Sequence, residues 1–251
     1  MWNEELKAYV GILSHDRVEN ISKMQNLVGK STWYVAKGES KKYLDNGAFS
    51  CKEVDGTLVI ARNVLLKDAY KENHDCLMLD DDMKEIHKIE IIDGKAKKVP
   101  IDMKDVVDMC RKFLKESGMK LAGLSWTTNI FWYNPKTPIK FDSEITNFFY
   151  TKPCDVFFDE KMFEKHDQDF VLQHIDTHGA VISLENVLAK FHWQELDQKR
   201  LVYTTAKGGM NKTLESKKKM YEYIKKKWGN KVKDRKNSIY NVNFNRKRGR
   251  K

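Results

Sequence analysis

Residues 77–83, Leu-Met-Leu-Asp-Asp-Asp-Met, constrain this chain more than any other segment: a short apolar run fit for a core strand stops abruptly at three consecutive carboxylates. Adjacent anions repel one another and resist burial, so a chain that sets them at the end of a core strand turns them into water or supplies positive charge beside them. A solvated acidic turn is one reading. The other is a divalent cation, because hard carboxylate oxygens suit magnesium or manganese, and such ions keep positions open for the phosphates of a substrate. On that second reading the triplet points to a nucleotide diphosphate.

The flanking sequence supplies a setting for it. Residues 58–63, Leu-Val-Ile-Ala-Arg-Asn, read as a strand running into an Arg-Asn turn, residues 64–72 as a helix and residues 76–79 as the next strand, a spacing that fits a βαβ crossover. Further upstream, residues 9–13 read as a first strand followed by the polar break Ser14-His15-Asp16-Arg17. Asp16 with Glu19 has the form of a capping box ahead of Val18, Ile21, Met24 and Val28 at helical spacing. Residues 32–36 form a second strand that ends in Lys37-Gly38-Glu39, which makes residues 58–60 the third. Parallel sheets bind ligands at the carboxyl ends of their strands, so Ser14, Glu39 and Arg62 become candidates for holding a nucleotide. Glu39 also reads as a solvated loop carboxylate.

Past the triplet, residues 89–92 and 97–99 read as a hairpin around Asp93-Gly94. Asp102 then precedes an amphipathic helix with Val106, Val107, Cys110, Phe113 and Leu114 on one stripe and Gly118 as its stop, and residues 120–126 form another strand. The stretch 126–134 is rich in aromatics and amides, which serve either sheet packing or a pocket on which a flipped base stacks.

The string Ala61 to Met83, ARNVLLKDAYKENHDCLMLDDDM, resembles the nucleotide-sugar half of a GT-A glycosyltransferase of the family 2 type, in which an Arg-Asn loop and helix lead into a strand and a DxD motif. Within that superfamily the chain is most similar to the TET-associated glycosyltransferases, largely phage-encoded enzymes associated with glycosylation of hydroxymethylated pyrimidines in DNA, over about residues 9–210. The resemblance implies an α/β fold of GT-A (Rossmann-like) type, a mixed sheet flanked by helices. It implies donor contacts from Ser14, Arg17, Glu39, Arg62, Asn63, Asp80 and Asp81, and a Mn2+ or Mg2+ ion held by Asp80 and Asp82 with a late histidine, His192, completing the shell. His192 reads more simply as packing, and Lys207, in the Gly208-Gly209 loop, as a donor-phosphate cover or equally a plain turn.

The family carries an acidic Glu-Asp pair at the start of a later helix, and here the Glu position is His166, followed by Asp167 and then Asp169-Phe170. In inverting members the Asp of the pair acts as base, which assigns Asp167 as the residue that takes the proton from the acceptor hydroxyl. Carboxylates at a helix start also cap it, a role expected of Asp169. His174 and His178, four apart on the same helix, have a metal-binding spacing but fall on the stripe of Phe170 and Val171, where core packing is the simpler reading.

The whole chain bounds the rest. At 251 residues it can bury a sizeable core, expected as one domain over 1–212, followed by a basic helix and disordered tail over 213–251. A hydrophobic content of 41% excludes global disorder, and no run approaches the ~18 apolar residues of a membrane span. The start of the chain lacks the pattern of a secretory signal, so the expected location is the cytoplasm, that of the host if phage-encoded. Four scattered cysteines fit reduced thiols better than zinc pairs or a disulfide framework. The net charge of +10 rises toward the C-terminus, where Leu214, Tyr221, Ile224 and Trp228 form an apolar stripe expected to leave Lys217 to Lys219 and Lys225 to Lys227 facing water. Such a flank suits a double- or single-stranded DNA acceptor, or serves only as a solubilising surface. The expectation is a sugar transfer from a UDP-sugar to a DNA base. Its rivals are transfer to a protein, glycan or lipid-linked acceptor, a two-metal nuclease or nucleotidyltransferase, and a nucleic-acid-binding module.

Overall fold

Short β-branched and aromatic runs alternating with helical segments build a layered α/β structure, which a computed structural model describes for residues 1–125, 130–191, 214–236 and 240–245. Its first half comprises β1 (Trp2–Asn3), β2 (Ala8–Leu13), α1 (Ile21–Val28), β3 (Thr32–Ala36), α2 (Ser40–Asp45), β4 (Ser50–Val54), α3 (Leu58–Lys71) and β5 (Cys76–Asp80). Then come β6 (Met83–Ile92), β7 (Lys95–Pro100), α4 (Met103–Ser117), β8 (Leu121–Ser125), β9 (Ile139–Phe141), β10 (Ile145–Thr151), α5 (His166–His178), β11 (Ile182–Leu184) and β12 (Val187–Phe191). After residues 192–213 follow α6 (Leu214–Trp228), β13 (Val232–Asp234) and β14 (Val242–Phe244).

The main sheet has the order β4-β3-β2-β5-β10-β8-β11-β9, with β1 beside β2. β2, β3, β4 and β5 are mutually parallel, whereas β10 runs antiparallel to both β5 and β8. The first four parallel strands therefore lie in the order third, second, first, fourth, as in half of a Rossmann sheet, and the strand order reverses between β2 and β5. Helices cover both faces. Val10, Ile12, Trp33, Leu77 and Leu79 pack with Met24 of α1 and with Val106, Val107 and Cys110 of α4. The alternate residues Leu13, Tyr34, Met78 and Phe149 meet Leu65 and Leu66 of α3 and Phe170 of α5. Among the described residues no helix is long and apolar enough to cross a membrane.

Two close approaches depend on glycine. A Cβ on Gly11 would lie 2.3 Å from a Leu65 methyl, and one on Gly123 would lie 2.6 Å from the Phe148 carbonyl oxygen. The hairpin at Asp93-Gly94 also forms as expected, both residues having positive φ (54° and 72°).

Several expectations need correction. Residues 58–60 are not a strand but the first turn of α3, where Thr57 caps the helix by accepting from the Ile60 amide. The third parallel strand is instead β4, an edge strand with Lys52 and Glu53 exposed, so it lacks the apolar pattern of its neighbours. Asp16 does not cap α1, which follows a 3-10 turn over Val18–Asn20 and has no side-chain cap. Asp169 is not a cap either: it is fully buried and accepts from Trp228 Nε1 at 2.7 Å, with Lys227 Nζ 2.9 Å away. The expected C-terminal stripe rotates, burying Met220, Ile224 and Trp228 and leaving Leu214 65% exposed. Beyond Gly229, the expected tail holds the ribbon β13–β14, which buries Val232 and Val242 against Met162 and Leu172; residues 246–251 lie outside the described residues.

Candidate active site

β5 delivers the acidic triplet to the reversal point of the sheet: Asp80 is its last residue and pairs with Leu13, the last residue of β2. Asp81 and Asp82 form the turn into β6, so they sit outside the carboxyl ends of the parallel strands. Asp81 points inward and is 3% exposed. It accepts from Arg17 Nη1 at 2.9 Å and from the Ser14 hydroxyl, which in turn meets the Tyr43 hydroxyl at 2.6 Å. The Arg17 amide donates to the same Tyr43 oxygen at 3.0 Å. Glu39 lies alongside, accepting from the Asp16 amide at 3.2 Å. Thus Ser14, Arg17, Glu39 and Asp81, expected to share a site, gather at the ends of β2, β3 and β5, with Tyr43 as a member that the sequence did not reveal.

Arg62 has a different place from the one expected. It lies within α3, 1% exposed, with its guanidinium against the rings of Phe149 and Phe158, 5.3 and 5.2 Å from their centroids. Its Nη2 donates to Asp80 at 3.0 Å and its Nη1 to Asp167. One buried cation therefore bridges the end of β5 and the first turn of α5. Asn63, beside it, turns toward the 157–160 loop: its amide donates to the Phe158 carbonyl at 2.9 Å, and its oxygen accepts from the Phe158 amide at 2.8 Å. That is a clamp on the segment leading into α5, with both ends of the side chain engaged away from a ligand.

Asp80, Arg62 and Asp167 line a cleft of about 210 Å³ together with Leu58, Asn147, Glu164, Lys165 and His166. Asn147 has φ 61° at an irregularity in the β10–β8 pairing, a device often found where a strand must re-aim a side chain at a site. His166 Nε2 is 3.3 Å from Asp167 Oδ1. Glu164 also lines this cleft and accepts from the Ser216 hydroxyl of α6 at 2.7 Å. A larger depression of about 440 Å³ between β6, β7 and α4 contains none of the expected site residues, so its size does not decide the matter.

The electrostatics follow from burial. Desolvation raises the Asp80 carboxyl, with Arg62 opposing and Asp167 adding to the rise. Asp81 is likewise raised by burial, to about 6, despite Arg17. Burial works against the charge of Arg62, yet Asp167 and Asp80 outweigh it and hold the guanidinium above its ordinary value. Asp80, Glu164 and Asp167 bring three carboxylates to the cleft against Arg62 and Lys165, and Asp82 lies in the turn directly after Asp80. Carboxylate oxygens are the donors that a hard divalent ion takes, so Asp80 and Asp82 are the residues that could hold one. The other expected ligand, His192, and Lys207 lie outside the described residues.

Comparison with known proteins adds nothing to these assignments: no family model matches the chain, and no curated protein matches it.

Proposed function

We propose that this chain is a metal-dependent glycosyltransferase of GT-A type that moves a sugar from a nucleotide-sugar, most simply a UDP-sugar, to a hydroxymethylated pyrimidine in DNA. One observation carries the catalytic half of this reading: Asp80 and Asp167, far apart in sequence, face one cleft at the strand-order reversal of a Rossmann-like sheet and share the buried Arg62. In such sheets this crevice is where nucleotides sit.

On this reading Ser14, Arg17, Glu39 and Asp81 hold the nucleoside end of the donor, and Asp80 and Asp82 hold the ion. The ion, when bound, supplies positive charge for the departing diphosphate. Asp167 accepts the acceptor's hydroxyl proton as that oxygen bonds to the anomeric carbon and the bond to the diphosphate breaks, the electron pair leaving with the phosphate. Arg62 orients Asp167 for that task. Asn63, expected as a donor contact, instead positions the segment that carries Asp159 to Asp167.

The DNA half rests on the family resemblance and the net charge of +10. Part of the C-terminal charge is already committed within the chain, since Lys225 pairs with Asp234, Lys227 with Asp159 and Asp169, and Lys231 with Asp176. The carboxylate-rich cleft, with Glu164 beside Asp80 and Asp167, also suits two-metal phosphodiester cleavage. One experiment separates the readings. The full chain is incubated with manganese and a labelled UDP-sugar on hydroxymethylated DNA, with unmodified DNA as control. Transfer of label to the modified DNA, lost in Asp82→Ala, supports the proposal; strand cleavage without donor supports the nuclease; neither activity rejects both.

A further inference from the structure

At the opposite end of α5 from Asp167 lies a second cluster that the glycosyltransferase reading does not use. Asp167 and His178 are separated by eleven residues, about 16 Å of helix at ~1.5 Å per residue. His174 and His178, one turn apart on the same face, have ring centroids 5.4 Å apart. Cys154, on the segment leaving β10, completes a group whose sulfur and ring-nitrogen atoms lie within 4.8 Å of one another.

The hydrogen bonding around these rings is incomplete in a specific way. His174 is 0% exposed, and neither of its ring nitrogens has a hydrogen-bond partner among the described residues. Nε2 of His178 is in the same condition. An imidazole always carries at least one N–H, so a fully buried ring with both nitrogens unmet is disfavoured by about 1–3 kcal/mol per unsatisfied group. Buried polar atoms of this sort call for a partner such as a water or an ion. Apolar packing does not remove the need: the Phe170 and His174 rings meet nearly perpendicular with centroids 4.7 Å apart, a contact that fills space but supplies no conventional hydrogen-bond acceptor.

We infer that Cys154, His174 and His178 form a site for a borderline transition-metal ion, zinc foremost, distinct from the carboxylate site at Asp80 and Asp82. A thiolate and two imidazoles are the donor set zinc prefers and hard ions such as magnesium do not. With Zn–S of about 2.3 Å and Zn–N of about 2.1 Å, ligand atoms in a tetrahedral site lie roughly 3.3–3.6 Å apart, so the three side chains need to close by only about 1 Å. Burial holds the His174 ring neutral, lowered to about 3, the protonation state a metal requires. The Cys154 thiol is raised by burial and loses its proton to solvent when the ion binds. Cys154 and His178 are only partly buried, so an ion from solvent has a short way to the group. Such a site would pin the C-terminal end of α5 to the segment that follows β10, bracing the helix whose other end carries Asp167.

The test uses the full chain stripped of metal with a chelator, then titrated with Zn2+ alone and, separately, with Co2+ as a spectroscopic probe. One equivalent should bind. Co2+ should show the visible bands of tetrahedral geometry and a thiolate-to-metal charge-transfer band, and Zn2+ should raise the melting temperature by mass action. Cys154→Ser should abolish the charge-transfer band, and His178→Gln, at a half-buried position, should weaken Zn2+ binding by roughly 100-fold or more. Asp82→Ala should leave all of this unchanged, so failure here and failure of the glycosyltransferase reading are separately visible. Absence of stoichiometric binding, a cobalt spectrum without the thiolate band, or equal affinity in Cys154→Ser and His178→Gln would overturn the inference.

Discussion

Replacing Arg62 by methionine removes the buried cation that bridges Asp80 and Asp167 while keeping most of the aliphatic bulk beside Phe149 and Phe158. The guanidinium is 1% exposed and 3.0 Å from Asp80. At an effective dielectric of about 20, a unit pair at that separation interacts by roughly 5 kcal/mol. Desolvation of the arginine cancels much of this gain, but deleting one partner leaves the others buried and uncompensated, which typically destabilises by about 3–5 kcal/mol. Arg62→Met should therefore lower unfolding free energy by about 3–5 kcal/mol at neutral pH, measured by urea denaturation without added metal. If the loss comes from stranded carboxylates, adding Asp80→Asn and Asp167→Asn to the same chain should recover most of it. A loss below about 1 kcal/mol, or a triple variant as unstable as the single one, would show that Arg62 acts by packing and refute the electrostatic account.

Other perturbations test the scaffold around the site. Gly123→Ala should destabilise by about 1–3 kcal/mol in denaturant melts, because its Cβ would meet the Phe148 carbonyl, which no side-chain rotation relieves. Trp228→Phe should lower stability by about 1.5–3 kcal/mol, the worth of a hydrogen bond to a charged group, since it strips the Nε1 donor from the fully buried Asp169; an unchanged midpoint would mean that Lys227 and Gln173 satisfy that carboxylate without it. Burial raises the Glu144 carboxyl above its ordinary value. Its folded form therefore holds a proton more firmly than the unfolded chain does, a contribution to stability present at low pH and lost as pH rises through the folded value. Glu144→Gln, which does not titrate, should gain stability relative to the parent between pH 4 and 7, read as a growing difference in urea midpoint; a constant difference would contradict the shift.

What the sequence made legible was the apolar and glycine patterning of the inner strands and helices. Thr32–Ala36, the Asp93-Gly94 hairpin and α4 with its Gly118 stop at φ 74° all carry their signals locally. Leu58-Val59-Ile60 misled because β-branched residues read as strand, whereas the neighbouring Thr57 cap and burial of Val59 in the core favour helix. Edge strand β4 escaped notice for the converse reason, its outward residues being Lys52 and Glu53.

At the site, the triplet stood out by composition and Asp167 by resemblance to a Glu-Asp motif, but the link from Asp167 to Arg62 spans 105 residues and leaves no local trace. The same holds for Asn63 gripping Phe158 across 95 residues and for Asp169 receiving Trp228 across 59. The four-residue spacing of His174 and His178 was visible, whereas their unmet nitrogens and the approach of Cys154 emerge only from packing.

The central claim is that the carboxylates after β5 grip a cation that in turn holds a nucleotide diphosphate. Calorimetric titration of UDP into the metal-free chain, with and without manganese, tests it most directly when repeated on Asp82→Ala and Cys154→Ser. The account predicts binding that requires manganese, falls by roughly 100-fold or more in Asp82→Ala and is unaltered in Cys154→Ser. Binding that is equally strong with chelator present and in Asp82→Ala, or no binding of UDP at all, would contradict it.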